Sequence, residues 1–201
     1  MQEQRRQQSP AAEHDQDVDS VDRHIARWRD KAPFDERVEG IITRIQFLTK
    51  HVSQAADRAF AEVGLQLFEF ETLHRLASRG DAARATPSEL AAELMLSPAG
   101  MTGRLDTLEQ AGLVVRIRGT DDRRRVDVEL TELGRTRWRA AMRLRGAAEH
   151  AMVEPLDRAE QATLEALLKR MLVHVEKHGP AVETLGVRSL DKQNRGGRAS
   201  A

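Results

Sequence analysis

Cysteine is absent from this sequence, which removes disulfides, thiolate nucleophiles and thiol redox sensing together. Tyrosine is absent as well, and aromatic residues make up only 3% of the chain. A core must therefore come from Leu, Ile, Val and Ala, a composition typical of helical proteins. Charge of either sign is not in excess, because 32 basic residues meet 32 acidic ones among 201. No global field draws such a chain onto a polyanion, so any contact with nucleic acid depends on local clustering of cations. No apolar run nears the roughly 20 residues that cross a bilayer, and the opening MQEQRRQQSPAAEHDQD lacks the apolar centre of a signal peptide. The expectation is a soluble, cytoplasmic protein that does not engage membranes.

Catalytic patterns are missing too. No Ser/His/Asp arrangement, Gly-rich phosphate loop or paired metal motif can be read, so no enzyme, cofactor or metal is expected. His174 and His178 have i, i+4 spacing, but they fall at a helix end without an acidic or cysteine companion.

What is present is helical punctuation. The length suits one compact domain with tails: a polar, disordered tail over 1–19, a domain over 20–180 and a second disordered tail over 181–201. Val21, Ile25 and Trp28 make a short amphipathic helix closed by Ala32-Pro33. A long helix follows from about Asp35 to Val63, with an apolar stripe (Val38, Ile41, Ile42, Ile45, Leu48, Val52) wider than one neighbour needs. The next runs from about Gln66 to Ser78. Thr86-Pro87-Ser88-Glu89 reads as a capping box with proline at the first helical position, and Ser97-Pro98 caps a second helix that ends at Gly112. Two capped helices a few residues apart form a helix-turn-helix.

At Leu113 the period changes from helical to two. Val115 and Ile117 alternate with Arg116 and Arg118; beyond a polar turn, Val126, Val128 and Leu130 alternate with Asp127 and Glu129. That is a β-hairpin, with Arg123, Arg124 and Arg125 at its tip behind Asp121 and Asp122. Two more helices finish the chain, from about Thr131 to Val153 and after an Asp157 cap. The fold class is therefore mainly α with a small β-hairpin wing, a winged helix-turn-helix with its DNA-binding core over 66–130.

On the second helix of that motif, Met101, Leu105 and Leu108 share one side, while Ala99, Gly103, Asp106 and Gln110 share the other, with Thr102 at its flank. Ser97, Ala99, Gly100, Thr102, Gly103 and Asp106, together with the three wing arginines, are the candidate DNA contacts. The small residues let the backbone sit close to base edges, and guanidinium groups on a wing suit a minor groove. An ordinary solvated helix face and a solvated charge run are the plainer readings of the same residues. Arg104 falls at the edge of the buried stripe, where a guanidinium costs several kcal/mol unless paired. Glu71 on the preceding helix is one candidate partner, and an anionic ligand is another.

The stretch SPAGMTGRLDTLEQAGLVVRIRGTDDRRRVDVELTELGR resembles the MarR family of regulators, and the resemblance extends over roughly residues 21 to 178. It implies a homodimer interlocked through its first and last helices, each winged helix reading half of an inverted-repeat operator in double-stranded DNA. VDRHIARWRDKAPFDERVEG is similar to the extra N-terminal helix of a PecS, urate-responsive and trans-aconitate-responsive subgroup. That likeness implies a pocket for a small anionic ligand made by Trp28, Glu71, Arg104 and Arg116, with Glu71 where the subgroup usually has Asp and Gly103 where it usually has Asn. It also implies that His51, midway along the long helix, senses pH; an exposed or hydrogen-bonded histidine is the plainer reading. The function expected is a repressor released by urate, another purine product or a di- or tricarboxylate. The alternatives are a regulator that needs no ligand and a winged-helix protein-interaction module.

Overall fold

The computed structural model describes residues 17–80, 83–118 and 126–179. The expected tails, apart from Asp17–Asp19, lie outside these residues. The chain divides into two compact units, Met1–His51 and Val52–Ala201, and one long helix crosses the boundary.

The first unit pairs α1 (Ser20–Trp28) with the first half of α2 (Glu36–Glu62). Asp19 starts α1 by accepting from the backbone N–H groups of Val21 and Asp22, and the Asp22 carboxylate accepts from the Asp19 N–H in return. This capping box satisfies donors that a helix start leaves orphaned. Val21 and Ile25 are buried, as their spacing predicts. Arg44 of α2 reaches both Asp19 (2.9 Å) and Asp22 (2.5 Å), and Arg29 pairs with Glu36 at 2.7 Å. Exposed pairs of this kind are screened by solvent and add little stability; they set the register of α1 on α2 more than they stabilise it.

In the second unit the elements run α3 (Leu67–Ala77), β1 (Arg84–Ala85), α4 (Pro87–Glu93), α5 (Pro98–Gln110), β2 (Val114–Arg118), β3 (Val126–Leu130), α6 (Glu132–Val153) and α7 (Arg158–His178). Thr86 accepts from the Glu89 N–H while Glu89 accepts from the Thr86 N–H, so the capping box read from the sequence forms, with Pro87 inside it. Ser97 caps α5 through the Gly100 N–H at 3.1 Å. The turn between them passes through Met95 at φ +50°.

Leu73, Leu76, Leu90, Leu94, Met101, Leu105 and Leu108 converge with Leu113 and Val128 in one core. Each such side chain contributes about 1.5–3 kcal/mol when fully buried. Phe60 from the end of α2 stacks on Phe70 at 4.1 Å between ring centroids.

The sheet has three antiparallel strands in the order β1-β3-β2, one more than the hairpin expected. β1 is only two residues long and pairs Arg84 with Glu129 and Ala85 with Val128. Arg84 forms ion pairs with Asp127 and Glu129 of β3. The register also sets the faces of β2. Val114, Arg116 and Arg118 pair with Leu130, Val128 and Val126, and directly opposed residues point to the same side. Val114 is therefore the buried residue of β2 and Val115 is exposed. Arg116 lies on the same side as Val128 and Leu130.

The β3–α6 corner explains the Leu-Thr-x-x-Gly motif. Thr131 donates its N–H to the Leu113 carbonyl (3.1 Å) and its hydroxyl to the Gly112 carbonyl (2.6 Å), and its hydroxyl oxygen accepts from the Gly134 N–H at 3.0 Å. A Cβ at position 134 would overlap the Leu113 carbonyl oxygen, so only glycine lets α6 start against that strand.

Candidate nucleic-acid interface

The helix expected to meet DNA is α5, and its two faces separate as expected. Met101, Leu105 and Leu108 are buried, whereas Ser97, Ala99, Gly100, Thr102, Gly103 and Asp106 are exposed. A Cβ at Gly103 would have no heavy atom within 4 Å, so nothing inside the chain requires glycine there. Thr102 and Thr107 both turn their hydroxyls back along the helix, donating to the carbonyls of Pro98 (3.0 Å) and Gly103 (3.1 Å).

Two arginines tie this helix to its surroundings. Arg104 is 12% exposed and donates from Nη1 to Oε2 of Glu71 on α3 at 3.1 Å, with the Glu71 side chain 5% exposed. The same nitrogen reaches the Phe68 carbonyl at 3.3 Å, and the guanidinium stands 5.4 Å from the Phe68 ring centroid. Of the two partners weighed for Arg104, Glu71 is in place.

Arg116 crosses from β2 to α5. Its Nη1 donates to Glu109 Oε2 and its Nη2 forms an ion pair with Asp106 Oδ1, each at 2.7 Å; Nη2 also donates to the Thr102 carbonyl at 3.3 Å. The Arg116 backbone N–H meets the other oxygen of Glu109 at 3.0 Å. That backbone bond, aided by the side-chain one, lowers the pKa of the Glu109 carboxyl below the usual carboxylate range. Burial alone would pull the Arg116 guanidinium down, but its hydrogen bonds to Asp106 and Glu109 outweigh that and hold it above its ordinary value.

Asp106 thus serves the wing strand as well as lying on the outer face. Glu109 was not among the expected site residues, although its i, i+3 spacing from Asp106 puts two carboxylates on neighbouring turns.

Glu71 and Arg104 are brought into contact, and Arg116 is joined to the same helix at Thr102, Asp106 and Glu109, within two turns of Arg104. Trp28 ends α1 in the other unit, 45% exposed, its ring 6.4 Å from that of His24. His51 is exposed on α2. Arg123, Arg124 and Arg125, with Asp121 and Asp122, lie outside the described residues. The His174 and His178 rings stack at 4.7 Å, and no group of three or more possible metal ligands occurs among the described residues. No described helix is long and apolar enough to cross a membrane.

A pair of capped helices running into a three-stranded sheet, with an outward face of small residues on the second helix, defines a winged helix-turn-helix protein. The MarR family model matches residues 65–126. The HTH-type transcriptional regulator PecS of Dickeya dadantii (strain 3937) is 33% identical over 159 residues, 77% of this chain and 91% of that protein. Among solved structures, YusO from Bacillus subtilis superposes with a TM-score of 0.62 at 22% identity, covering 70% of this chain and 98% of its own. A mutant MarR from E. coli complexed with operator DNA gives a TM-score of 0.51 at 24% identity, covering 70% of this chain and 99% of its own. The chain belongs to the MarR family: it is a winged-helix transcriptional regulator that binds DNA.

Proposed function

We propose that this regulator is a repressor that binds an inverted-repeat operator as a homodimer, and that a small anionic metabolite releases it. Ser97, Ala99, Gly100, Thr102, Gly103 and Asp106 of each α5 meet the major groove, and Arg123, Arg124 and Arg125 of each wing meet the flanking minor groove. The family membership supports this docking, as does the operator DNA in the MarR complex.

The homodimer reading rests on apolar surface. α7 buries no residue at all, and Leu164, Leu167, Leu168, Met171, Leu172 and Val175 are each at least 40% exposed. Val38, Ile41, Ile42 and Leu48 of α2 are likewise exposed. Surface of this extent is what a second copy covers, which is the dimer through N- and C-terminal helices expected from the sequence. On this reading the domain runs over 20–180 with its DNA-binding core at 66–130.

The ligand reading is carried by one observation: the buried Arg104–Glu71 pair joins the DNA-reading helix to α3. An anionic ligand held by Arg104 and Arg116 competes with Glu71, Asp106 and Glu109 for guanidinium groups that now hold α5 in place. Its binding therefore acts directly on the spacing of the two reading helices, which must match about 34 Å of duplex. Coupling of about 1–3 kcal/mol lowers operator affinity roughly 5–150-fold.

The test is a screen of urate, other purine products and di- and tricarboxylates by thermal shift and by displacement of operator. A rise in melting temperature together with loss of operator binding is expected for one of these acids. If none has either effect, the ligand claim fails and a ligand-independent regulator remains. Absence of salt-dependent binding to any inverted repeat would leave a winged-helix interaction module instead.

A further inference from the structure

The outer face of α5 is poor in the groups that usually read purines. Direct readout of guanine takes Arg or Lys, and of adenine Asn or Gln, each bonding two atoms of the base edge. On the first two turns of α5, the part of a recognition helix that meets base edges, the exposed residues are Pro98, Ala99, Gly100, Thr102 and Gly103, behind the exposed Ser97 cap. Thr102 has already given its hydroxyl proton to the Pro98 carbonyl. Asp106, one turn on, can only accept, and its carboxylate is held by Arg116. Gln110, the one amide side chain on this face, stands about 10 Å beyond Gly103 along the axis.

We infer that α5 selects its sequence through the C5-methyl groups of thymines packed against Ala99, Gly103 and the Thr102 methyl, not through hydrogen bonds to purine edges. The inference rests on the reading of α5 as the major-groove helix. A thymine methyl is the one apolar feature of a major-groove base edge, and Ala and Thr side chains are its ordinary partners. Ala99 and Gly103 lie about 6 Å apart along the helix, close to two base-pair steps of about 3.4 Å. The empty space around Gly103 lets the backbone descend onto the base edges where any side chain would hold it off. A half-site with consecutive thymines opposite these residues follows.

The experiment begins with full-length protein and a random duplex pool, from which bound sites are enriched. In the enriched half-sites, uracil replaces thymine, removing only the methyl, and in a parallel series 7-deazapurines remove the N7 acceptors. Uracil is expected to weaken binding about 10-fold, with 7-deazapurines changing it less than twofold. In the protein, Gly103→Ala is expected to raise the melting temperature, because alanine favours helix over glycine, yet to weaken binding to the enriched site at least 10-fold. Binding indifferent to uracil, a large cost of 7-deazapurines, or unchanged affinity of Gly103→Ala would each overturn the inference while leaving DNA binding by α5 intact. Failure to enrich any site would overturn the docking reading itself, and this inference with it.

Discussion

Removing Glu71 should cost far more than removing both members of its pair. At the 3.1 Å separating Arg104 Nη1 from Glu71 Oε2, an effective dielectric of about 20 gives an attraction of roughly 5 kcal/mol. Burying two ions costs several kcal/mol each, so the pair as a whole contributes little net stability. Glu71→Ala changes that balance. It leaves a guanidinium 12% exposed that still reaches the Phe68 carbonyl but has lost its carboxylate, a loss of about 3–5 kcal/mol. Glu71→Leu combined with Arg104→Met replaces both ions by apolar groups of similar length and should fall within about 1 kcal/mol of the parent. Urea denaturation of the single and double variants at one protein concentration measures the coupling directly. A Glu71→Ala loss below about 1 kcal/mol, or additive effects of the two changes, would refute the view that this pair is a buried, mutually dependent unit.

Three further outcomes follow from local geometry. Gly134→Ala drives a methyl into the Leu113 carbonyl, so a loss above about 3 kcal/mol or a failure to accumulate folded protein is expected in urea titrations. At Met95, held at φ +50°, Asn should keep stability within about 0.5 kcal/mol while Val lowers it by more than about 1 kcal/mol, because a β-branched residue tolerates the left-handed region worst; melting temperatures of the two variants decide it. His74 accepts a hydrogen bond from the Trp138 indole at 3.2 Å, and burial, then the charges of Arg145 and Arg75, push its pKa below the ordinary 6.5. The neutral form is therefore favoured by folding: this stability is fully present above about pH 6.5 and is lost as pH falls from there towards the folded pKa. Urea midpoints between pH 5 and 7.5 should fall less steeply for His74→Gln than for the parent, and equal slopes would sink the assignment.

The parts of the fold legible in the sequence were those with local physical causes. Thr86 with Glu89, and Asp157 with Glu160, form the capping boxes their spacing predicts. The alternation in Val126–Leu130 marks β3, because one face of that strand meets the core. Elements set by distant partners were not legible. β1 has two residues, too few for any periodicity, and exists because β3 offers it an edge. The phase of β2 was not legible either, since the run Val115-Arg116-Ile117-Arg118 fits either phase of a period-two pattern. Only the pairing of Val114 with Leu130 sets the phase, and a shift of one residue moves every side chain to the other face. The contact of His74 with Trp138 joins residues 64 apart, and no local pattern announces it.

Taken together, these contacts give α5 two different kinds of attachment. Its buried side is held by Met101, Leu105 and Leu108, which resist displacement with the stiffness of a close-packed core. Its flanks are held by ions, Arg104 to Glu71 of α3 and Arg116 of β2 to Asp106 and Glu109. Packing has one optimum, whereas a guanidinium can exchange one carboxylate for another at small net cost. A movement of α5 driven by an anionic ligand would therefore start at the flanks, as a tilt about the apolar side, and not as a translation of the whole helix. Because Arg116 is also part of β2, the same exchange would loosen the wing strand from the reading helix. Contact with thymine methyls would make such a tilt effective: Ala99 and Gly103, touching at van der Waals distance, have no long side chain to keep them in reach, and displacements of about 1 Å already forfeit a quarter to a half of each contact.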